Sequence, residues 1–174
     1  RPGEPGPAGG SPGLGDGDAG GVDAVDLPAA DPDDRPPAAD RDCVALDVLR
    51  AEGRSFAVVA LDIDHFKRIN DSYGHDVGDQ VIRSLSQLMT ACSRGADTLC
   101  RSGGEEFLML LPDTNLESAL LGAGRVRQCV EQEQIPQVGH ITISLGIALW
   151  PIHADSIERV LKLADGALYK AKQL

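Results

Sequence analysis

The chain predicts an α/β sandwich, palm-like or ferredoxin-like, in which a central, mostly antiparallel sheet is flanked by helices. Three observations carry that expectation. Phe56-Ala57-Val58-Val59-Ala60-Leu61 is an unbroken apolar run ending on Asp62, the pattern of a strand buried on both faces. Between His140 and Leu149, Ile141, Ile143, Leu145, Ile147 and Leu149 alternate with Thr142, Ser144, Gly146 and Ala148, giving a strand with one bulky and one small face. The other long segments carry helical apolar stripes, and a Gly-Gly pair separates two short strand-like runs.

The elements follow in order. Cys43 to Glu52 reads as a short helix closed by Gly53. After the strand ending at Asp62, Asp64 is placed to cap a short helix over His65 to Asn70, and Ser72 to His75 reads as a turn. From Gly78 a long helix presents Val81, Ile82, Leu85, Leu88, Met89 and Cys92 on one face. Thr98 to Arg101 and Glu106 to Leu111 are strands on either side of the Gly-Gly turn, and Pro112-Asp113-Thr114 ends the second. Leu116 to Val130 is helical, with Leu116, Ala119, Leu120, Ala123 and Val126 on its inner side. The small face of the strand at 140–149 allows a helix or ligand to approach closely. A final helix from Ser156 to Lys172 buries Ile157, Val160, Leu161, Ala164 and Leu168.

Composition divides the chain into a leader, 1–42, and one compact domain, 43–174. The leader holds eight of eleven prolines, nine of twenty glycines and no aromatic residue, and carries −7 of the net −11 charge. No apolar periodicity runs through it, so it reads as a disordered Pro/Gly/Asp-rich linker. An acidic chain without a basic patch is a poor non-specific ligand for nucleic acid or an anionic membrane. No apolar run approaches the roughly 20 residues that span a bilayer, and the leader lacks the apolar core of a secretory signal. The spacing of Cys43, Cys92, Cys100 and Cys129 fits neither a zinc site nor a disulfide framework. Buried free thiols in a reducing cytoplasm are the expectation.

The chemistry concentrates in Arg101-Ser102-Gly103-Gly104-Glu105-Glu106-Phe107. Two glycines allow a sharp turn and close approach of a ligand. The adjacent carboxylates that follow repel one another unless a cation sits beside them. A divalent metal carrying a nucleotide phosphate meets that need. Asp62 at a strand end and Glu105 at a neighbouring hairpin tip can meet on one sheet edge, where two carboxylates around Mg²⁺ form the architecture of nucleotidyl transfer.

With the elements placed, the sequence resembles the GGDEF family, the bacterial diguanylate cyclases with a nucleotidyl cyclase-like fold. Gly103 to Phe107 is the Gly-Gly-Glu-Glu-Phe form of the signature, and Asp62 to Asp71 with Tyr73 to Asp79 is similar to the metal and substrate motif. Thr142 to Gly146 and Ala164 to Lys172 continue the match. The resemblance implies that two GTP are joined into cyclic di-GMP by two domains meeting face to face, so a homodimer is required. Asp62, the Ile63 carbonyl and Glu105 then hold Mg²⁺ or Mn²⁺. Glu105 or Glu106 helps deprotonate the 3′-hydroxyl, and Lys67 stabilises phosphate charge. Backbone amides from His65 through Phe66 to Lys67, with Gly103 and Gly104, suit phosphate oxygens. Asn70 and Asp79 read the guanine edge, His75 lies against the nucleotide, and Lys172 reaches the triphosphate. The bland alternatives are a turn for His75, a surface lysine for Lys172, and surface positions for His140 and His153.

Arg94-Gly95-Ala96-Asp97 ends five residues before Gly103, the register of the family's inhibitory product site, and Arg125 falls where a second product-binding arginine is found. Two departures stand out. The family's usual opening Asp-x-Leu-Thr-Gly-Leu-x-Asn-Arg is replaced by Asp33-Asp34-Arg35-Pro36-Pro37-Ala38-Ala39-Asp40-Arg41, which predicts a loose amino-terminal edge. The usual Gly-Arg-Asn after Ala-Lys is replaced by Gln173-Leu174, removing one phosphate contact. No sensor domain or stalk is evident, so the expectation is an isolated catalytic domain or a truncated product, cytoplasmic or the cytoplasmic part of a larger sensor protein, and nearly inactive as a monomer. The implied function is a product-inhibited diguanylate cyclase. The alternative is a cyclic di-GMP receptor that has lost turnover. A different nucleotidyl cyclase or a polymerase palm is disfavoured by Asn70, Asp79 and the absence of a basic track.

Overall fold

The computed structural model describes residues 38–174. The predicted leader, 1–42, therefore lies almost wholly outside the described residues, as does the start of the altered opening segment. The element order is α1 (Ala38–Ala51), β1 (Phe56–Ile63), α2 (Phe66–Tyr73), α3 (His75–Cys92), β2 (Thr98–Arg101), β3 (Glu106–Pro112), α4 (Leu116–Gln132), β4 (Ile143–Trp150) and α5 (Ile157–Ala171). The strands form one sheet in the order β2-β3-β1-β4. Every neighbouring pair is antiparallel. The α/β sandwich read from the sequence is the observed fold.

β1 is central because it is apolar from Phe56 to Leu61 and buried along its whole length. Its alternate side chains enter two separate cores. Ala57, Val59, Leu61 and Ile63 pack with Phe107, Met109 and Leu111 and with residues of α2, α3 and α4. Phe56, Val58 and Ala60 pack on the other face with Leu46 and Leu49 of α1 and Val160, Ala164 and Leu168 of α5. The register pairs Asp62 with Glu106 on one side. On the other it pairs Asp62 with Ser144. All three side chains thus share the α5 face of the sheet.

Several expectations are corrected. β4 starts at Ile143 rather than His140, because its partner β1 ends at Ile63 and only the Asp64 N–H to Thr142 carbonyl bond, 3.0 Å, extends the ladder. α3 begins at His75, three residues before Gly78, and α2 continues through Ser72 to Tyr73, so the expected turn shrinks to Gly74 at φ 88°. Asp64 does not cap α2: the cap position is His65 at φ 56°, with no side-chain cap bond. On α4, Ala119, Ala123, Val126 and Val130 face inward, while Leu116 and Leu120 are exposed. The small alanine stripe brings α4 closer to the sheet than a leucine stripe allows. Cys92 and Cys129, expected as free thiols, are paired as a disulfide, since α3 and α4 lie side by side on one face of the sheet.

Gly146 explains how the small face of β4 is used. A Cβ there would stand 2.2 Å from the Ala164 carbonyl oxygen and the Leu168 nitrogen. The α5 backbone therefore rests directly on β4, and the end of α5 is carried to the tip of β1.

Candidate active site

The tip of β1 is where the sheet gathers charge. Asp62 is 8 % exposed. A carboxylate buried to that extent needs a positive partner. Its partner here is the Lys172 ammonium, which donates to Asp62 Oδ1. Glu106 lies opposite Asp62 across β1 and β3, and Glu105 is tied to the same strand end by the Ile63 N–H donating to its carbonyl at 3.3 Å. The Glu105 backbone is thus held beside Ile63, and the acids that face one another across the register are Asp62 and Glu106. A cavity of about 450 Å³ opens beside them, lined in part by Asp62, Ser102, Glu106, Asp165, Tyr169 and Lys172. Burial pushes the Asp165 carboxyl above its usual range.

The turn bearing the signature is held from below. Ser102 and Gly103 donate their N–H groups to the Glu106 carbonyl at 2.9 and 3.2 Å. Arg101 folds over it: Nε donates to the Gly103 carbonyl at 2.9 Å and Nη2 to the Gly104 carbonyl at 2.7 Å. Neither glycine needs the left-handed conformation, and a Cβ on Gly104 would meet nothing within 4 Å. Gly104 thus presents bare backbone to whatever enters the site. Arg101 went unrecognised in the sequence reading, although an arginine two residues before a glycine pair is within reach of the turn's carbonyls.

Asp64 was also misjudged. Its carboxylate accepts from Thr142 Oγ1 at 2.6 Å and Ser144 Oγ at 2.7 Å, stitching the β1–α2 turn to β4. Both hydroxyls sit on the small face of β4, where the alternation was legible but its purpose was not.

The remaining predicted groups lie along α2 and α3. Phe66 is buried, and Lys67 is exposed at the start of α2, with no ion-pair partner found among the described residues. Asn70 Oδ1 is buried and lacks a hydrogen-bond partner among the described residues. It presses on Gly78, where a Cβ would stand 1.8 Å away. An orphaned acceptor of this kind suits a ligand N–H. His75 is exposed at the first position of α3, and Asp79, also exposed, lines a crevice of about 60 Å³ with Arg101, Ile82 and Arg83.

The second predicted site is a separate place on the surface. Asp97 Oδ2 accepts from the Arg94 N–H at 2.9 Å, the Asp97 N–H donates to the Arg94 carbonyl at 2.9 Å, and Arg94 Nη2 donates to Thr114 Oγ1 at 3.2 Å. Asp97 Oδ1 is buried and unpartnered among the described residues. A cavity of about 270 Å³ is lined by Thr90, Ser93, Arg94, Gly95, Asp97 and Leu99. Arg125, on α4, is exposed and is not among the residues lining that cavity.

The donor set at the tip of β1 fits a divalent cation by its chemistry: carboxylate and main-chain oxygens are the ligands hard cations take. The Lys172 ammonium on Asp62 shows that positive charge is accommodated there. Among the described residues, no three His, Cys, Asp or Glu side chains converge as a ready-made metal cluster.

An antiparallel α/β domain with carboxylates at the tip of its central strand and beside an adjoining hairpin defines a palm-like nucleotidyl-transfer domain. The family described as diguanylate cyclase, GGDEF domain, matches residues 44–174, and the chain belongs to this family. Diguanylate cyclase A of Treponema denticola is 38 % identical over 122 residues, covering 68 % of this chain and 33 % of that protein. The response regulator PleD of Caulobacter vibrioides is 38 % identical over 125 residues, covering 69 % of this chain and 28 % of that protein. The chain thus spans roughly a third of the length of the curated relatives it matches. Among solved structures, the active GGEEF domain of a diguanylate cyclase from Vibrio cholerae superposes with a TM-score of 0.68 at 32 % identity, covering 75 % of this chain and 84 % of that one. The GGDEF domain of DgcB from Caulobacter crescentus, solved with c-di-GMP, gives a TM-score of 0.69 at 31 % identity, covering 78 % and 82 %. No helix among the described residues is long and apolar enough to cross a membrane.

Proposed function

We propose that this chain is the catalytic domain of a diguanylate cyclase, joining two GTP into cyclic di-GMP with release of two pyrophosphates. The observation that carries this reading is the pairing of Asp62 with Glu106 across the sheet, next to the Glu105 turn, at the edge that also receives Lys172 from the end of α5. Asp62, the Ile63 carbonyl and Glu105 are the groups that hold Mg²⁺ or Mn²⁺. Bound there, the cation neutralises phosphate charge and favours ionisation of a nearby hydroxyl.

This chain's own residues supply the rest. Lys172, released from Asp62, and Lys67 neutralise charge on the triphosphate. Glu105 or Glu106 takes the proton of the 3′-hydroxyl as its oxygen bonds to the α-phosphorus of the GTP on a second domain, and pyrophosphate leaves. Asn70 accepts from the guanine through its orphaned Oδ1, and Asp79 accepts from the same edge. His75 and the buried ring of Phe66 border the nucleotide, and the bare backbone of Gly103 and Gly104 lets phosphate approach. Because one domain holds one GTP, the active unit is a homodimer. Arg94, Asp97 and Arg125 form the inhibitory product site, with the buried Asp97 Oδ1 as acceptor.

A second reading, a cyclic di-GMP receptor without turnover, draws on the engagement of Asp62 by Lys172. Incubation with GTP and MgCl₂ over a range of protein concentrations, with cyclic di-GMP measured by chromatography, separates the two. The cyclase produces cyclic di-GMP at a rate rising faster than protein concentration. Absence of product at every concentration, with cyclic di-GMP still bound, establishes the receptor.

A further inference from the structure

The disulfide between Cys92 and Cys129 is placed where it can act on ligand binding. Cys92 is the last residue of α3, and the chain turns directly through Ser93 into Arg94. Cys129 lies four residues after Arg125 on α4, hence one turn along the same face of that helix. One covalent bond therefore joins the segment that aims Arg94 and Asp97 to the turn that carries Arg125. Leu85 and Met89 of α3 share a core with Ala123, Val126 and Val130 of α4, and the disulfide adds the covalent tie at the helix end; beyond it the Arg94–Asp97 loop is bonded chiefly to itself, and Thr114, which receives Arg94, precedes α4. Both cysteines are partly exposed, so a small disulfide or thiol can reach them.

We propose that Cys92 and Cys129 are a reversible thiol–disulfide pair whose oxidation clamps α3 to α4 and tightens ligand binding at Arg94, Asp97 and Arg125. The proposal rests on the product-site reading above. The chemistry is thiol–disulfide exchange with a small-molecule disulfide of the glutathione class. The thiolate of one cysteine bonds to a sulfur of that disulfide and expels one small thiolate. The second cysteine, losing its proton, displaces the other small thiolate and closes the protein disulfide. Two protein thiols are oxidised and one small disulfide is reduced to two thiols. The clamp acts through preorganisation: with the helix ends fixed, less ordering is left to occur when the ligand binds.

The test uses the 174-residue chain after dialysis against oxidised glutathione and after reduction with dithiothreitol, with cyclic di-GMP binding measured by calorimetry and the cysteine linkage mapped by mass spectrometry. The oxidised chain yields a Cys92–Cys129 linked peptide and binds about 5-fold or more tightly than the reduced chain. Cys92→Ser and Cys129→Ser each bind as the reduced chain does and ignore glutathione; should either fail to fold, the two states of the unsubstituted chain decide. Equal affinity in both states, or linkage through other cysteines, overturns the clamp while leaving the product site standing. Failure of both states to bind cyclic di-GMP overturns the product site itself, and the clamp with it.

Discussion

At the tip of β1, Asp62, Glu106 and Lys172 come from segments more than forty residues apart in sequence, whereas Arg94 and Asp97 share a single four-residue turn. The first group depends on the sheet register and on α5 lying against Gly146. The Arg94–Asp97 turn is closed chiefly by its own reciprocal bonds, with Arg94 also reaching Thr114. Charge at the first site is neutralised across the fold by Lys172; at the second it is paired locally, with Arg94 Nε 3.7 Å from Asp97 Oδ2. The site at the tip of β1 is therefore sensitive to how α5 packs on β4, and the Arg94–Asp97 turn is not. Substitutions can therefore separate the two.

The largest separation is expected at the acids. Asp62→Ala and Glu105→Ala each remove a carboxylate from the proposed cation site, and loss of several kcal/mol of transition-state stabilisation lowers GTP turnover by about 100-fold or more. Calorimetry should find cyclic di-GMP binding at Arg94 and Asp97 retained. Joint loss of turnover and binding in a folded variant contradicts the two-site arrangement.

Gly146→Ala is next, and it attacks the first site from a distance. The new Cβ would lie 2.2 Å from α5 backbone atoms, which cannot move as a flexible side chain can. Overpacking of this kind costs about 1–3 kcal/mol, read as a lower urea midpoint. Displacement of α5 also draws Lys172 from Asp62, so turnover falls while the Arg94 turn keeps its ligand. A variant of unchanged midpoint and activity would mean that α5 is not seated on β4 as described.

Arg94→Ala reverses the pattern. Removing a guanidinium that bonds a charged ligand costs about 1.5–3 kcal/mol, roughly 10- to 100-fold in cyclic di-GMP affinity. Initial GTP turnover is expected to be unchanged and product inhibition lost. Inhibition persisting at the original concentration places the inhibitory site elsewhere.

The same contrast explains what could be read from the sequence. The fold was legible because β1 is apolar from Phe56 to Leu61 and β4 alternates bulky with small side chains, and both patterns specify strands. The placement of Asp62 near the end of a buried strand and of Glu105 just after the glycine turn was legible, because an apolar run and a glycine pair mark those positions directly. What escaped detection depended on three-dimensional pairing. Asp64 sits where a helix cap belongs, and only the register brings it to Thr142 and Ser144. Leu116 and Leu120 fit an apolar stripe as well as Ala119 and Ala123 do, and helix rotation against the sheet decides which face is buried. The Cys92–Cys129 pair is 37 residues apart on two helices, with no spacing motif to announce it.

The smallest expected effect on turnover lies at the opposite end of β1 and β3 from Asp62 and Glu106. Arg54 Nη2 donates to Asp113 Oδ2 at 2.6 Å, and the Asp113 N–H donates to the Ser55 carbonyl at 2.7 Å, tying the β3–α4 corner to the start of β1. The hydrogen bond from Arg54 holds the Asp113 carboxyl below its ordinary value of 3.8, and the same pairing raises the Arg54 guanidinium. A folded carboxyl with a lowered pKa stabilises the fold above its unfolded pKa, and that contribution is lost as pH falls through the folded value. Asp113 is at φ 50°, a conformation asparagine also tolerates, so Asp113→Asn removes the charge without new backbone strain. Urea midpoints at neutral pH should be slightly lower in the variant, and the difference should vanish below the carboxylate range and shrink in high salt. Turnover should be unmoved, because this exposed pair lies at the other end of β1 and β3 from Asp62 and Glu106; a change in turnover would reveal coupling along β3.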